Sequence, residues 1–323
     1  SNILTKTVKQ IEVVYDQIFQ AGVTSTCYQQ TDDTSARVGG KSWNTHILCN
    51  PYYTYFSTRP GKDRLSFLAF LQHTPDAHFL FDDQTMKLLA AEFGVPATWR
   101  ARMAELIQAR GGSFTLQADQ LQVWLTDVLK LPAKRLDPRL EIAHAAAIRF
   151  YQAQQSVPVI DMLVCDDAPQ FKLTTQRMQL CWIHEGRLYK KLDPSVPRHQ
   201  ELLKQFVESF WQYYGWLQKY RQEPTAQRAG ELRTIFQELF STKTGYADLD
   251  KRIAYTAKKK GLLTFLNYPE CPLHNNASEL GARVCARRRD VSLHSRNARG
   301  AHAMDVFTTI VQTCKKLGQS SYE

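Results

Sequence analysis

The sequence predicts an α/β fold: a mixed sheet of about five strands with flanking helices, carrying large helical insertions. Three observations predict it. Three short strand-like segments separated by turn residues fall within the first 58 residues, an apolar run follows a helical stretch at 157–165, and most of the rest keeps helical spacing. At 323 residues and 43% hydrophobic composition, the chain can bury a proper core and is long enough for two domains, or one core with insertions. No window approaches the ~18 consecutive apolar residues of a membrane span, and the N-terminus lacks the layout of a signal peptide. A soluble cytoplasmic protein is expected. The chain opens on Ser1-Asn2 instead of Met, so an upstream segment is also expected.

Element by element, Leu4, Val8, Ile11, Val14, Tyr15 and Ile18 place a helix over 3–20, which Ala21-Gly22 should end. A strand runs from Thr24 to Thr31 and ends in Asp32-Asp33-Thr34. Gly39-Gly40 marks a turn, and Thr45–Cys49 and Tyr52–Ser57 read as two further antiparallel strands joined through Asn50-Pro51. Pro60-Gly61 closes that unit, and Leu65 opens a helix. Residues 83–154 show helical stretches at 86–93, 97–109, 119–129 and 140–154, and no clear strand. Val157–Cys165 is long and apolar enough for a buried parallel strand ending in Asp166-Asp167, and Met178–Trp182 makes a short one after it. Leu203, Phe206, Phe210, Tyr213, Tyr214 and Leu217 begin a further helical stretch. The expected division is an N-terminal helix and linker at 1–23, a core at 24–194 and 268–323 with a helical insertion at about 83–140, and a second helical insertion at 195–267.

The chain carries 41 Lys and Arg against 31 Asp and Glu, a net +10, which points to a polyanionic partner, nucleic acid before membrane. Its seven cysteines are odd in number and scattered, mostly inside apolar runs, and read as reduced thiols. Taken singly, Asp32-Asp33-Thr34 and Asp166-Asp167 read as turn residues, and Asn276-Ala277-Ser278-Glu279 as a capping box. Taken together, they place acids at the ends of two strands and on a late helix. Three carboxylates brought together suit Mg²⁺, which takes few protein ligands and keeps water and phosphate oxygens, and two such ions serve phosphodiester chemistry.

These residues resemble a known family. Asp32-Asp33-Thr34, Leu163 to Ala168, Cys181-Trp182-Ile183-His184 and Leu273 to Glu279 are similar to the bacterial DDE transposases, closest to insertion-sequence family sixty-six and its relatives. The tail through Arg287-Arg288-Arg289, Ser295–Gly300 and Thr313 to Tyr322 resembles that family's ending. The resemblance implies an RNase H-like core in which Asp32, Asp166 and Glu279 are catalytic metal ligands for two Mg²⁺ or Mn²⁺ ions. Asp33 and Asp167 are the alternates, since a one-residue slip on a strand turns a side chain to the other face. It implies metal-dependent cleavage of DNA at element ends followed by strand transfer, by a homo-oligomer on DNA, in the nucleoid-associated cytoplasm of a bacterium. The family commonly has Arg directly after the Glu; this chain has Leu280, with Arg283 one turn beyond.

Around the acids, Cys181-x-x-His184 matches an element found near the active site in such enzymes. A second pair, Cys271-x-x-His274, makes a Cys₂His₂ zinc site conceivable, but its distance in sequence and Pro272 speak against zinc. Cys181, His184 and Asn276 are therefore expected near the site. Arg283, Arg287, Arg288, Arg289, Arg296 and Arg299, against the single acid Asp290, are expected to contact DNA phosphates. Lys41, Lys62, Arg64 and Lys258-Lys259-Lys260 are weaker candidates. The aromatics between Phe206 and Tyr220 read as core, with Trp211 and Trp216 falling least neatly on the stripe. The rival readings are another RNase H-like nuclease, a resolvase or ribonuclease that cleaves without joining, and a catalytically silent DNA-binding relative.

Overall fold

The computed structural model describes residues 2–321. Ser1, Tyr322 and Glu323 lie outside the described residues, as do the side chains of residues 2–6, Leu4 among them. Helix α1 (Asn2–Thr24) leads into three strands, β1 (Tyr28–Val38), β2 (Lys41–Cys49) and β3 (Thr54–Arg59). Next come α2 (Arg64–Leu71), β4 (Phe79–Phe81), α3 (Asp83–Glu92), α4 (Ala97–Gln108), β5 (Phe114–Leu116), α5 (Ala118–Val123) and α6 (Leu136–Ala153). The chain returns to the sheet with β6 (Met162–Cys165) and β7 (Arg177–Leu180), then leaves it through α7 (Trp182–Lys190), α8 (Pro197–Gln222), α9 (Ala226–Leu239) and α10 (Ala247–Ala257). A 3₁₀ segment at Lys260–Leu266 precedes α11 (Asn276–Ser292) and α12 (Ala298–Leu317).

The main sheet has five strands in the order β3-β2-β1-β6-β7. The first three are antiparallel neighbours, and β6 and β7 run parallel to β1, so the sheet is mixed. Gly39 and Gly40, at φ +56° and +77°, form the two-residue turn between β1 and β2. Both lie in the left-handed region that such a hairpin needs.

Several elements differ from expectation, each for a physical reason. Helix α1 runs past Gly22 to Thr24; a Cβ at Gly22 would lie 2.5 Å from the Tyr53 ring, so this glycine permits close packing and does not stop the helix. Strand β1 continues through Asp32 and Asp33 to Val38, because β2 gives it an antiparallel partner along that length. The apolar run at 157–165 is strand only over its last four residues, since Pro158 cannot donate to a ladder and Val159 is 37% exposed. Within 79–116, β4 and β5 pair as a three-residue ladder, too short to show alternation in sequence. The stretch at 119–129 breaks into α5 and a π-helical turn at Trp124–Val128.

One apolar core runs from Val8 on α1 to Val306 on α12 and takes in the buried faces of α8 to α10. Trp182 sits at the join, its ring surrounded by Phe210, Tyr213, Phe236 and Phe240, its Nε1 donating to the Leu262 carbonyl at 2.8 Å. Phe206, Phe210, Tyr213, Tyr214, Leu217 and Tyr220 are buried, as core packing requires. Trp211 is half-buried against Gly186, where a Cβ would lie 2.5 Å from its ring. A second small cluster, Ile47, Phe56 and Cys285, seals α11 to the sheet. Among the described residues, no helix is long and apolar enough to cross a membrane.

Candidate active site

Strand register gathers the acids. Gln30 pairs with Val164 in the parallel ladder, so two residues further on Asp32 comes beside Asp166, just beyond the last residue of β6. Across the antiparallel ladders Asp32 pairs with Ile47, and Ile47 with Phe56. Directly paired residues share a face, and Ile47 and Phe56 lie under α11; Asp32 therefore faces that helix. Asp33 pairs with His46, whose ring stacks on Phe70 of α2, on the opposite face.

The start of α11 is fastened to β1. Asn275 Nδ2 and Ser278 Oγ both donate to the Thr31 carbonyl, at 3.2 and 3.0 Å, and the Ala277 N–H donates to Gln30 Oε1 at 3.2 Å. Gly281 permits the approach: a Cβ there would lie 2.9 Å from Ile47 Cγ2. Glu279 is thus held near Asp32. The Asp32 carboxyl is pushed up to about 7, chiefly by burial, with the charges of Asp166, Asp33 and Glu279 adding to it and the Asp33 N–H bond opposing it. No described cation pairs with Asp32, which accepts only that N–H, at 2.8 Å.

The capping-box reading of Glu279 does not hold. Asn275 is the N-cap and makes no side-chain cap bond, while the Glu279 carboxylate reaches α7 instead. Its oxygens lie 3.6 Å from His184 Nδ1 and 3.3 Å from Arg187 Nη2. Arg187 Nη1 is also 3.3 Å from His184 Nε2. A guanidinium only donates, so Nε2 accepts, while Nδ1, buried and 3.6 Å from Glu279, makes no hydrogen bond. Cys181 caps α7, its sulfur accepting the His184 N–H at 3.5 Å; burial pushes its thiol up, against the N–H groups of His184, Asn275 and Ile183. Ligand atoms of Cys181, His184 and Glu279 lie within 4.8 Å of one another, and Cys271 and His274 do not join them.

The two members of each acid pair have different surroundings. Asp167 gives one oxygen to Lys172 at 3.0 Å and the other to Lys259 at 2.8 Å. Burial pushes its carboxyl up, but those ammonium bonds outweigh it and hold the carboxyl below its ordinary value. Asp166 accepts the Ala168 N–H at 3.1 Å. Asp33 accepts from Gln170 Nε2 at 2.8 Å, and burial pushes it up against that bond and Lys62. A cleft of about 380 Å³ opens beside Asp166, lined also by Asp167, Cys181, His184, Arg187 and Lys259.

Of the other expected site residues, Asn276 is exposed, its N–H directed to His274 Nδ1 at 3.4 Å; the inward asparagine is Asn275. Arg283, Arg287, Arg296 and Arg299 are exposed. Arg288 and Arg289 are half-buried and brace α11: Arg288 donates to Thr308 Oγ1 at 2.9 Å, and Arg289 to Thr34 Oγ1 at 3.2 Å and to the Ser35 carbonyl. Lys259 does not face solvent but joins Asp167 to Glu185 Oε2, 2.7 Å away. Sequence reasoning missed Arg187, Asn275 and Ser278. Asn275 and Ser278 lie inside the Leu273–Glu279 block that carried the resemblance, and Arg187 falls three residues beyond His184 on the same helix face.

Residues 144–303 match the family model described as "Transposase IS66 family". A protein of Sinorhizobium fredii, described as "Uncharacterized protein y4jO", is 30% identical over 308 residues, covering 94% of this chain and 92% of the relative. No solved structure matches. The chain belongs to the IS66 family of transposases. The matched segment contains Asp166, Cys181, His184 and Glu279; Asp32 lies upstream of it.

Proposed function

We propose that the chain is the catalytic domain of a DNA transposase, built on an RNase H-like core, which cleaves element ends and joins them to target DNA in a metal-dependent reaction. What supports the reading is that register sets Asp32 beside Asp166 and that burial, with the charges of Asp166, Asp33 and Glu279, raises Asp32 to about 7 with no described cation paired to it, although the acid oxygens lie farther apart than the ligand atoms of Cys181, His184 and Glu279. Such a set of hard oxygen donors under mutual repulsion fits a divalent cation, and Asp32, Asp166 and Glu279 would hold it. When bound, magnesium or manganese supplies the positive charge that offsets the phosphate and lowers the proton affinity of an attacking oxygen.

The chain's own groups do the rest. His184 lies beside the Glu279 carboxylate, its Nδ1 3.6 Å away, and Lys259 offsets the charges of Asp167 and Glu185 where they line the cleft with Asp166. Arg187 offers to a phosphate oxygen the guanidinium that Leu280 cannot. In the first step a water oxygen bonds to phosphorus and the bond to the 3′ oxygen breaks, leaving a 3′-hydroxyl. In the second, that hydroxyl bonds to a target phosphorus and displaces a target 3′ oxygen, so no bond energy is spent. Both are in-line transfers that depend on positioning and charge neutralisation.

The test is an oligonucleotide carrying the element's end, incubated with target DNA and Mg²⁺ or Mn²⁺. Strand-transfer product is expected. Hydrolysis alone would favour a nuclease that does not join, and a metal-independent mobility shift alone would favour a silent DNA-binding relative.

A further inference from the structure

A second basic depression lies away from the carboxylates, where the α8–α10 helices meet the open edge of the sheet. It occupies about 770 Å³ between the start of β7, helix α9 and the 3₁₀ segment after α10. Arg177, Arg233 and Lys260 line it, together with Gln237, Asn267 and Tyr268, and none of its lining residues is acidic. Arg177 is partly neutralised, since it pairs with Asp161 and lies over the Tyr268 ring at 4.8 Å. Arg233 is held in place by a neutral partner, donating to Asn267 Oδ1 at 2.6 Å, and so keeps its charge uncompensated by that bond. Lys260 is exposed. Gln237, one turn from Arg233 on α9, adds an amide to the same wall.

The lysine triplet explains why this depression is separate from the carboxylate cleft. Lys259 turns to Asp167 and Glu185 and lines the cleft, whereas its neighbour Lys260 lines the groove. Gly261 then lets the segment press onto β7, where a Cβ would lie 3.0 Å from Leu180 Cγ and 3.2 Å from the Met178 carbonyl. The same few residues thus form a wall with the acids on one side and an acid-free basic groove on the other.

We propose that this groove binds the sugar–phosphate backbone of DNA, through Arg233, Lys260 and the partly compensated Arg177, as a contact site distinct from the carboxylate cleft. The choice of DNA as the polyanion rests on the function proposed above. Guanidinium, ammonium and amide donors grip phosphate oxygens without reading bases, so the contact is independent of sequence.

The experiment measures binding of a 30-bp duplex of arbitrary sequence to the full chain by fluorescence anisotropy, without divalent metal, over a series of salt concentrations. R233E/K260E is compared with K204E/K251E, which reverses two exposed lysines of α8 and α10 outside the groove and changes net charge equally. The groove variant should lose at least tenfold in affinity, and its log–log salt slope should flatten by about 1.8, the value for two phosphate contacts. The control should change by less than threefold. A milder R233Q/K260Q variant with an unchanged melting temperature should show the same direction of change. Equal losses in the groove and control variants, or wild-type affinity in R233E/K260E, would overturn the proposal. The readout involves no catalysis: absence of strand transfer with groove-dependent binding would sink the transposase mechanism alone, and strand transfer with groove-independent binding would sink the groove alone.

Discussion

Glu185 and Glu279 are both glutamates held by arginines at the junction of α7 with the rest of the molecule, yet they are held very differently. The Glu185 side chain is 4% exposed and accepts from Arg252 at 2.5 Å, Thr256 at 2.5 Å and Lys259 at 2.7 Å. Glu279 is 19% exposed, and its contacts with Arg187 and His184 are longer, at 3.3 and 3.6 Å. The same contrast separates Asp167, with both oxygens on lysines, from Asp166, which has one backbone N–H. A buried carboxylate whose lone pairs are filled by cations is a structural brace with nothing left for a ligand. Asp32, by contrast, accepts one backbone N–H and has no described cation, while the charges of Asp166, Asp33 and Glu279 add to the rise in its pKa.

The largest expected effect tests that contrast directly. Glu279→Gln should reduce strand transfer at least about 1,000-fold while leaving duplex affinity within about threefold, since it removes a ligand charge and no basic contact. Retained activity would take Glu279 out of the mechanism. Glu185→Ala should behave in the opposite way, lowering stability by about 3–5 kcal/mol because it leaves the largely buried Arg252 without its carboxylate and Lys259 with Asp167 alone. A denaturant titration reads this, and a loss below about 1 kcal/mol would deny Glu185 its bracing role.

A smaller effect is the pH dependence of stability at Asp32. Its folded carboxyl titrates at about 7, above the ordinary 3.8 of an exposed aspartate. As pH rises from 4 to 7 the unfolded chain releases this proton before the folded one does, so ionisation costs stability, and the cost is complete above pH 7. Asp32→Asn should therefore melt about 5 °C higher than the wild type at pH 8, with the gap closing toward pH 4. A gap that is constant with pH would show that Asp32 is not under strain. The same logic makes binding of Mg²⁺ weaken about tenfold per pH unit below 7, read by calorimetry. The smallest effect is expected for Arg187→Ala: affinity for Mg²⁺ should rise a few-fold, because Glu279 loses a competing cation, while strand transfer falls about tenfold with the phosphate contact. A fall in both would mean that Arg187 only positions Glu279.

Some of this was legible in the sequence because it depends on local periodicity or on residue type. Helical spacing predicted α8 through its buried stripe of Phe206, Phe210, Tyr213, Tyr214 and Leu217, and the glycine pair predicted the β1–β2 turn. Other features depend on partners distant in the chain and left no trace. Asp32 reads as a strand-end residue, yet it sits within β1, because β2 extends the ladder past the point where β6 stops. Arg288 and Arg289 read as phosphate contacts like their neighbours, and only the packing of α11 against α12 and β1 shows them occupied with Thr308 and Thr34. Lys259 is indistinguishable in sequence from Lys258 and Lys260, and it turns inward because the carboxylates of Asp167 and the buried Glu185 lie there to receive it.

By itself, the order of residues determined the α/β class, the basic balance, and the acids Asp32, Asp166 and Glu279 as candidates, because side-chain chemistry and local periodicity are written along the chain. Only the folded molecule decided which acid of the first pair faces α11, which arginines remain exposed, and which lysine neutralises Asp167 and Glu185. Those outcomes depend on strand register and helix packing, where a shift of one residue reverses a side chain and a single close approach, such as Gly281 on Ile47, brings distant segments together.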